Sequence, residues 1–305
     1  MMRAVQDGKL PQESLLAQSS ECLGCRACEP VCPAGVEYGV LIEEARDILW
    51  QGKNRPLIIR GLFLLAGTKL GIWALGLFAP IAKNRVSDPK INLMLGCIER
   101  RLFPDVSKKV AKIAPEISIC KSQNCCGALH AHNGELELGK AMAKTLGDQL
   151  PGTIVTTAGG CAAHLSSVLG RDRVKEFSEY WGDRSASNSK IKVEGHIVRV
   201  GLQDSCHLKN GMGVTEQPRE ILKSIADYVE IPNAGGCCGA AGSYALLEKK
   251  NSQKVVSQKV KDIAALNLDF VITVNPGCTR QLATELKRAK VKTKVIHLAQ
   301  LIAMA

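Results

Sequence analysis

From residue 90 onward the chain alternates short apolar runs with amphipathic stretches, a pattern that predicts an α/β fold. Residues 91–95, 153–157, 198–203 and 270–274 read as strands, and residues 279–287 carry helical periodicity. Residues 1–56 are more polar and helix-like around a group of cysteines. Residues 61–82 are almost entirely apolar and long enough to span a bilayer. Lys69 interrupts that stretch, Gly67, Gly71 and Gly76 weaken it, and Pro80 ends it. A buried or interfacial helical linker is the expectation there, with a spanning helix as the alternative. The divisions are therefore 1–56, an apolar linker at 57–89, and two units at 90–190 and 191–305.

The last two units repeat each other. The first carries Cys97, then Cys125-Cys126-Gly127-Ala128, then Gly160-Cys161. The second carries Cys206, then Cys237-Cys238-Gly239-Ala240, then Gly277-Cys278. Three matched elements in one order point to duplication. Cys97, Cys161, Cys206 and Cys278 each follow an expected strand, and ligands collect at the carboxyl ends of strands in open α/β sheets. Helix amino ends at the same place favour negative charge. Each copy is thus expected to bring four thiolates to one site.

Composition sharpens this. Thirteen of the 305 residues are cysteine. No apolar leader segment is read in residues 1–16, so the default compartment is the reducing cytosol. Clustered cysteines there do metal or redox work rather than forming structural disulfides. The formal charge of +11 favours acidic partners or anionic surfaces. Lys and Arg are scattered, however, and thiolate-held clusters are negative, so no nucleic acid is expected as a partner. No G-x-x-x-x-G-K-[ST] loop and no strand leading into G-x-G-x-x-G is present. Without an organic redox site, the chain is expected to pass electrons for a partner that has one.

The most specific motif is Cys22-Leu23-Gly24-Cys25-Arg26-Ala27-Cys28-Glu29-Pro30-Val31-Cys32-Pro33, the bacterial ferredoxin run C-x2-C-x2-C-x3-C-P. Cys22, Cys25 and Cys28 are expected to hold one 4Fe–4S cluster. In two-cluster ferredoxins the fourth cysteine serves the other cluster. Cys32 therefore either closes this cluster, leaves that to another thiol, or the site is incomplete. The repeats are read as metal sites at Cys97, Cys125, Cys126, Cys161, Cys206, Cys237, Cys238 and Cys278. Buried inert pairs and a disulfide between neighbours are the alternatives, since adjacent thiolates suit two irons of a cluster better than one tetrahedral zinc. Cys120 reads as a core thiol. His164 falls where a further ligand would sit but reads as structural, and the same holds for His130, His132 and His207. No catalytic residue is assigned.

In these segments the chain resembles the Cys-Cys-Gly cysteine-rich family, which includes the B-type subunit of heterodisulfide reductase. The order of parts is most similar to the glycolate oxidase iron–sulfur subunit. The segments that carry the likeness are Cys22 to Val36, Asp204-Ser205-Cys206-His207-Leu208-Lys209-Asn210-Gly211, Cys237 to Tyr244, and Asn275-Pro276-Gly277-Cys278. The resemblance implies a helical ferredoxin-like domain followed by a duplicated, pseudo-symmetric α/β cysteine-rich domain. It implies an oxidoreductase complex whose FAD-containing glycolate oxidase subunits oxidise glycolate to glyoxylate. This chain would relay the electrons toward a membrane acceptor, as a cytoplasmic protein peripheral on the inner face of the membrane. A lactate-oxidation subunit and a heterodisulfide-reductase-like thiol/disulfide oxidoreductase are the alternatives. The family normally carries two ferredoxin runs, and this chain carries one similar to the second; truncation or a start at an internal methionine would account for that. Heterodisulfide reductase ends each copy in Cys-x-x-Cys, whereas here the endings are Cys161…His164 and Cys278…Gln281.

Overall fold

The computed structural model describes residues 2–50, 56–67, 70, 84, 86, 89–182 and 189–305. Its first part is helical: α1 (Met2–Gln6), α2 (Leu16–Glu21) and α3 (Tyr38–Leu49), followed by α4 (Leu57–Gly67). The cysteine run forms the irregular loop between α2 and α3. Leu15, Leu49 and Trp50 give this part a small core of its own. Residues 68–69, 71–83, 85 and 87–88 of the expected linker lie outside the described residues. Among the described residues no helix is long and apolar enough to cross a membrane.

The first copy comprises β1 (Ile91–Met94), α5 (Glu99–Leu102), α6 (Pro104–Ile113), α7 (Ala128–Ala131), α8 (Leu136–Gln149), β2 (Thr153–Thr156), α9 (Gly159–Leu169), β3 (Val174–Glu176) and α10 (Phe177–Gly182). A short antiparallel hairpin follows, β4 (Lys192–Val193) and β5 (His196–Ile197). Glu194 and Gly195 both have positive φ at its turn, which suits the twist of a two-residue hairpin. The second copy comprises β6 (Arg199–Gln203), α11 (Cys206–Met212), α12 (Glu216–Ile225), β7 (Asp227–Tyr228), α13 (Tyr244–Leu247), α14 (Lys249–Ala265), β8 (Phe270–Thr273), α15 (Pro276–Arg288), β9 (Lys294–His297) and α16 (Leu298–Ile302).

Both sheets are parallel. The orders are β1-β2-β3 and β7-β6-β8-β9. Aligning β1, β2 and β3 with β6, β8 and β9 superposes the two patterns. The extra edge strand β7 then corresponds to the bridge Asn92 makes with Ser118 beside β1. Leu93, Ile154, Val155, Val200, Leu202, Val271 and Ile272 are all fully buried. That explains why these strands read as continuous apolar runs: parallel strands are covered on both faces. One core is shared, joining Leu93, Val155 and Phe177 of the first copy to Val200, Leu202, Ile272 and Leu298 of the second. Each copy's other face has a separate core, and these include Cys97, Cys125 and Cys126 in one copy and Cys238 and Cys278 in the other.

Candidate metal centres

Strand ends and helix starts place the cysteines as the sequence pattern predicts. Cys97 follows β1, Cys161 lies in the first turn of α9, Cys206 opens α11 and Cys278 lies in the first turn of α15. The Cys-Cys-Gly turns lie opposite. In the first copy the Cys125 Sγ is 3.4 Å from the Cys97 Sγ, and the Cys126 Sγ is 3.2 Å from the Cys161 Sγ. In the second, the Cys238 Sγ is 3.0 Å from the Cys278 Sγ, and Cys206 donates to Cys237. The same pairing therefore recurs in both copies: the first cysteine meets the first of the Cys-Cys pair, and the second of the pair meets the last cysteine. All thirteen cysteines are free thiols.

The electrostatics of the two sets also match. Hydrogen bonds from neighbouring thiols, led by Cys126 and Cys97, pull Cys125 well below the usual thiol range. Those from Cys206 and Cys238 pull Cys237 down to about 3. Their partners Cys97 and Cys206 are pushed up, so within each pair one sulfur is the acceptor. Each set also has a buried cation that sequence reasoning missed. Burial pushes the Arg100 guanidinium down, and Cys97 and Cys125 push it back up. Burial likewise pushes the Lys259 ammonium down, opposed by Cys238, Cys278 and Cys237. Arg100 Nη2 donates to the Leu95 carbonyl at 2.7 Å and Lys259 Nζ to that of Asn233 at 2.7 Å. No motif marks either residue, because a helical cation becomes a counter-ion only once the helix packs over the thiols.

The glycine of each Cys-Cys-Gly turn is required twice over. Gly127 has φ of 85° and Gly239 of 80°, a conformation that a side chain disfavours. A Cβ at Gly127 would lie 2.2 Å from the Gly139 carbonyl oxygen, and at Gly239 2.6 Å from that of Ser252. The helices α8 and α14 thus press on the turns through equivalent positions. His164 and Gln281, which stand where heterodisulfide reductase carries a further cysteine, bond to those same positions. The His164 Nε2 lies 3.2 Å from the Gly139 oxygen, and the Gln281 Nε2 donates to the Ser252 Oγ at 2.9 Å. Both side chains brace the backing helix, which agrees with the structural reading of His164.

The ferredoxin-like loop sits against the second copy. Asn210 Nδ2, on α11, donates to the Cys25 carbonyl at 2.8 Å. Burial pushes the Cys25 thiol up, and Cys237, Cys22 and Cys28 add to the rise. Cys32 stands apart electrostatically: it is pulled down by the backbone amides of Val36, Ala34 and Gly35 in its own turn. Arg46 fastens the loop, donating to the carbonyls of Ser19 (2.8 Å), Cys22 (2.6 Å) and, in the first copy, His132 (3.1 Å). The cavity beneath, ≈ 70 Å³, is lined by residues of all three parts, Cys22, Gly24, His132, His207 and Tyr244 among them. The His132 Nδ1 lies 2.6 Å from the Glu43 carboxylate, and its ring faces His207 with centroids 5.0 Å apart. The Phe63 ring of α4 stacks on His130 at 4.2 Å. Cys120 is half-buried, its Sγ 3.4 Å from the Ser122 Oγ, and takes part in neither set.

Among the described residues no group of three or more His, Cys, Asp or Glu surrounds a single-ion position. The donor set is nonetheless eight thiols in two matched groups, soft ligands of the kind that polynuclear iron–sulfur clusters take. The family model of the CCG cysteine-rich domain matches residues 91–166 and 200–283, the two copies seen here. The chain belongs to that family. It is 31% identical to the probable glycolate oxidase iron-sulfur subunit of Bacillus subtilis strain 168, across 99% of this chain and 86% of that protein. It is 28% identical to a subunit of the fumarate reductase (CoM/CoB) of Methanothermobacter marburgensis, across 93% of this chain and 61% of the relative's length. Lactate utilization protein A 2 of Bacillus cereus strain Q1 is 26% identical across 70% of this chain and 98% of its own. Within the family, the chain groups with the glycolate-oxidase-type iron–sulfur subunits, and this membership implies iron–sulfur clusters.

Proposed function

We propose that this chain is the electron-carrying iron–sulfur subunit of a complex that oxidises a 2-hydroxy acid, glycolate being the first candidate. Cys22, Cys25 and Cys28 would hold a 4Fe–4S cluster, with Cys32 as its fourth ligand. Cys97, Cys125, Cys126 and Cys161, and Cys206, Cys237, Cys238 and Cys278, would hold two further clusters. Such clusters carry single electrons. The chain's own contribution is to bury the thiols, neutralise part of their charge with Arg100 and Lys259, and fix the ferredoxin-like loop through Arg46 and Asn210. An FAD-containing partner subunit would oxidise glycolate to glyoxylate, and a membrane acceptor would take the electrons.

The observation that carries this reading is the seating of Cys25 beside the Cys206–Cys237 set, which gives two redox-competent donor sets one shared neighbourhood. Iron and acid-labile sulfide per chain after anaerobic purification, with EPR of the reduced protein, test it. About four irons per cluster is the yardstick. More than one cluster, one of them lost on Cys25→Ser, is the expected result; a full thiol count with no iron would end the reading.

The contacting thiol pairs favour a second reading, thiol/disulfide exchange at the repeats, because hydrogen bonds from Cys206 and Cys238 pull the Cys237 thiol well below its usual range. It predicts disulfide turnover by the chain alone with an artificial electron donor, lost in Cys237→Ser and Cys238→Ser. Reconstitution with a glycolate- or lactate-specific flavoprotein separates the two hydroxy acids.

A further inference from the structure

Buried polar atoms in folded proteins nearly always have a hydrogen-bond partner, and one left without a partner calls for an explanation. Among the described residues, His130 Nε2 is the one histidine nitrogen that is buried with no partner. The residue is 2% exposed. Its other ring nitrogen is committed, because Nδ1 lies 2.7 Å from the Glu135 carboxylate. An ionised carboxylate only accepts, so Nδ1 carries the proton, and in the neutral ring Nε2 is left as a bare lone pair. Phe63 stacks on the ring, with centroids 4.2 Å apart and planes 18° apart, and fixes its plane. The other buried histidines differ. His164 Nε2 is spent on the Gly139 carbonyl, and His297 uses both nitrogens on backbone. The sequence pattern reads His130 as structural, and a structural role leaves Nε2 unexplained.

The place of the ring gives the lone pair a use. His130 lies on the single-turn helix α7, which starts directly after Cys125-Cys126-Gly127. Hydrogen bonds from Cys126 and Cys97 lead in pulling the Cys125 thiol down, and His130 is close enough to add to the effect. A histidine that binds a metal characteristically gives its second N–H to a carboxylate or carbonyl, which sets the tautomer and raises the basicity of the ligating nitrogen. Imidazole is also an established iron–sulfur ligand: in Rieske centres two histidines replace two cysteines. The first copy ends in Cys161…His164 where heterodisulfide reductase has a second cysteine, and His164 is spent on α8, so any fifth donor comes from elsewhere. In the second copy the position aligned with His130 is Gly242.

We infer that His130 Nε2 is a ligand of the iron–sulfur centre of the first copy, alongside Cys97, Cys125, Cys126 and Cys161. Glu135 positions the ring by holding the proton on Nδ1. The inference rests on the cluster reading above and adds a nitrogen donor that one copy has and the other lacks.

The test uses the full chain, iron-loaded and purified anaerobically, with histidine carrying the heavy nitrogen isotope. Hyperfine spectroscopy of the reduced protein is expected to show a directly bound histidine nitrogen on the signal that Cys126→Ser removes, with the coupling strength of a Rieske centre measured alongside. The signal that Cys238→Ser removes should show none. His130→Cys should keep the iron of the first copy and lose the nitrogen coupling, whereas His164→Gln should keep both. Glu135→Gln should release that copy's iron to a chelator about tenfold faster or more, with the coupling still present. Iron in the first copy with no histidine nitrogen bound, or with only the weak coupling of a hydrogen-bonded ring, overturns the inference and leaves the cluster reading standing. Coupling that survives in His130→Cys or disappears in His164→Gln overturns it as well. A first copy without iron overturns both readings. The labelled wild-type chain decides the matter whether or not a variant folds.

Discussion

Adding one methyl group at Gly127 is a stringent test of how the Cys-Cys-Gly turn is built. The residue has φ of 85°, and a Cβ there would meet the Gly139 carbonyl oxygen at 2.2 Å and its carbonyl carbon at 2.9 Å. The clashing atoms are helix backbone in α8, braced by His164, so they cannot rotate aside. Left-handed backbone costs an alanine about 1–2 kcal/mol, and overpacking against a fixed backbone adds about 1–3 kcal/mol. Gly127→Ala should therefore destabilise the protein by about 2–5 kcal/mol, the sum of those two costs, or displace the turn that carries Cys125 and Cys126. Gly213→Ala separates the two contributions: φ is 71° there, and nothing lies within 4 Å of the added Cβ. That variant should cost only about 1–2 kcal/mol. Urea denaturation of anaerobically purified protein measures both, and iron per chain reports the displaced turn. Gly127→Ala should lose iron from the first copy while retaining the signal of the ferredoxin-like loop. Equal stability and equal iron in the two variants would refute the argument from close approach.

Three further outcomes are expected. Arg46→Lys keeps the charge but loses the planar fork that reaches three carbonyls, and should cost about 2–4 kcal/mol by urea denaturation with loss of the Cys22–Cys28 cluster signal. Stability should fall on both sides of a mildly acidic optimum. Burial pushes the Glu176 carboxyl up to about 8, so its contribution declines as pH rises from about 4.5 through about 8, by up to about 1.4 kcal/mol per unit, and Glu176→Gln should flatten that limb. Burial pushes His297 down to about 4, so stability declines as pH falls from about 6.5 through about 4; urea midpoints from about pH 4 to about pH 9 measure both limbs. Lys259→Met removes a buried cation facing Cys238 and Cys278, and should make the second copy's centre harder to reduce by roughly 50 mV or more in an EPR-monitored titration, with little change at the first copy.

The strands and the duplication were legible because their signals are local. A run such as Phe270–Thr273 is apolar on both faces only in a covered parallel sheet, and the cysteines after each strand mark its carboxyl end. The pairing within each set was not legible. Spacing brings Cys97 and Cys125 near one site, but which thiol meets which is set by α8 and α14 pressing the turns into place. Arg46, Glu43 and Asn210 were missed for a related reason: each acts across 24 or more residues of sequence, on a carbonyl or a ring that no motif records. His297 is another such residue. Its Nε2 lies 2.9 Å from the Thr157 carbonyl of the other copy while its Nδ1 accepts from the Ala299 amide, an arrangement that requires a neutral ring.

Duplication makes two equivalent thiol sets, and the amino-terminal part makes them unequal. In the first copy Cys97, Cys125 and Cys126 are all buried, whereas in the second Cys206 and Cys237 remain half-exposed on the side where Cys25 sits. Burial disfavours added negative charge, and Arg100 in one set and Lys259 in the other offset part of it. Matched thiols in unequal surroundings should give the two copies different reduction potentials. The difference does not require a change in any cysteine. It follows from docking one loop on α11 and not on its first-copy counterpart α5, through Asn210, a residue whose aligned position in the first copy has no such loop to hold.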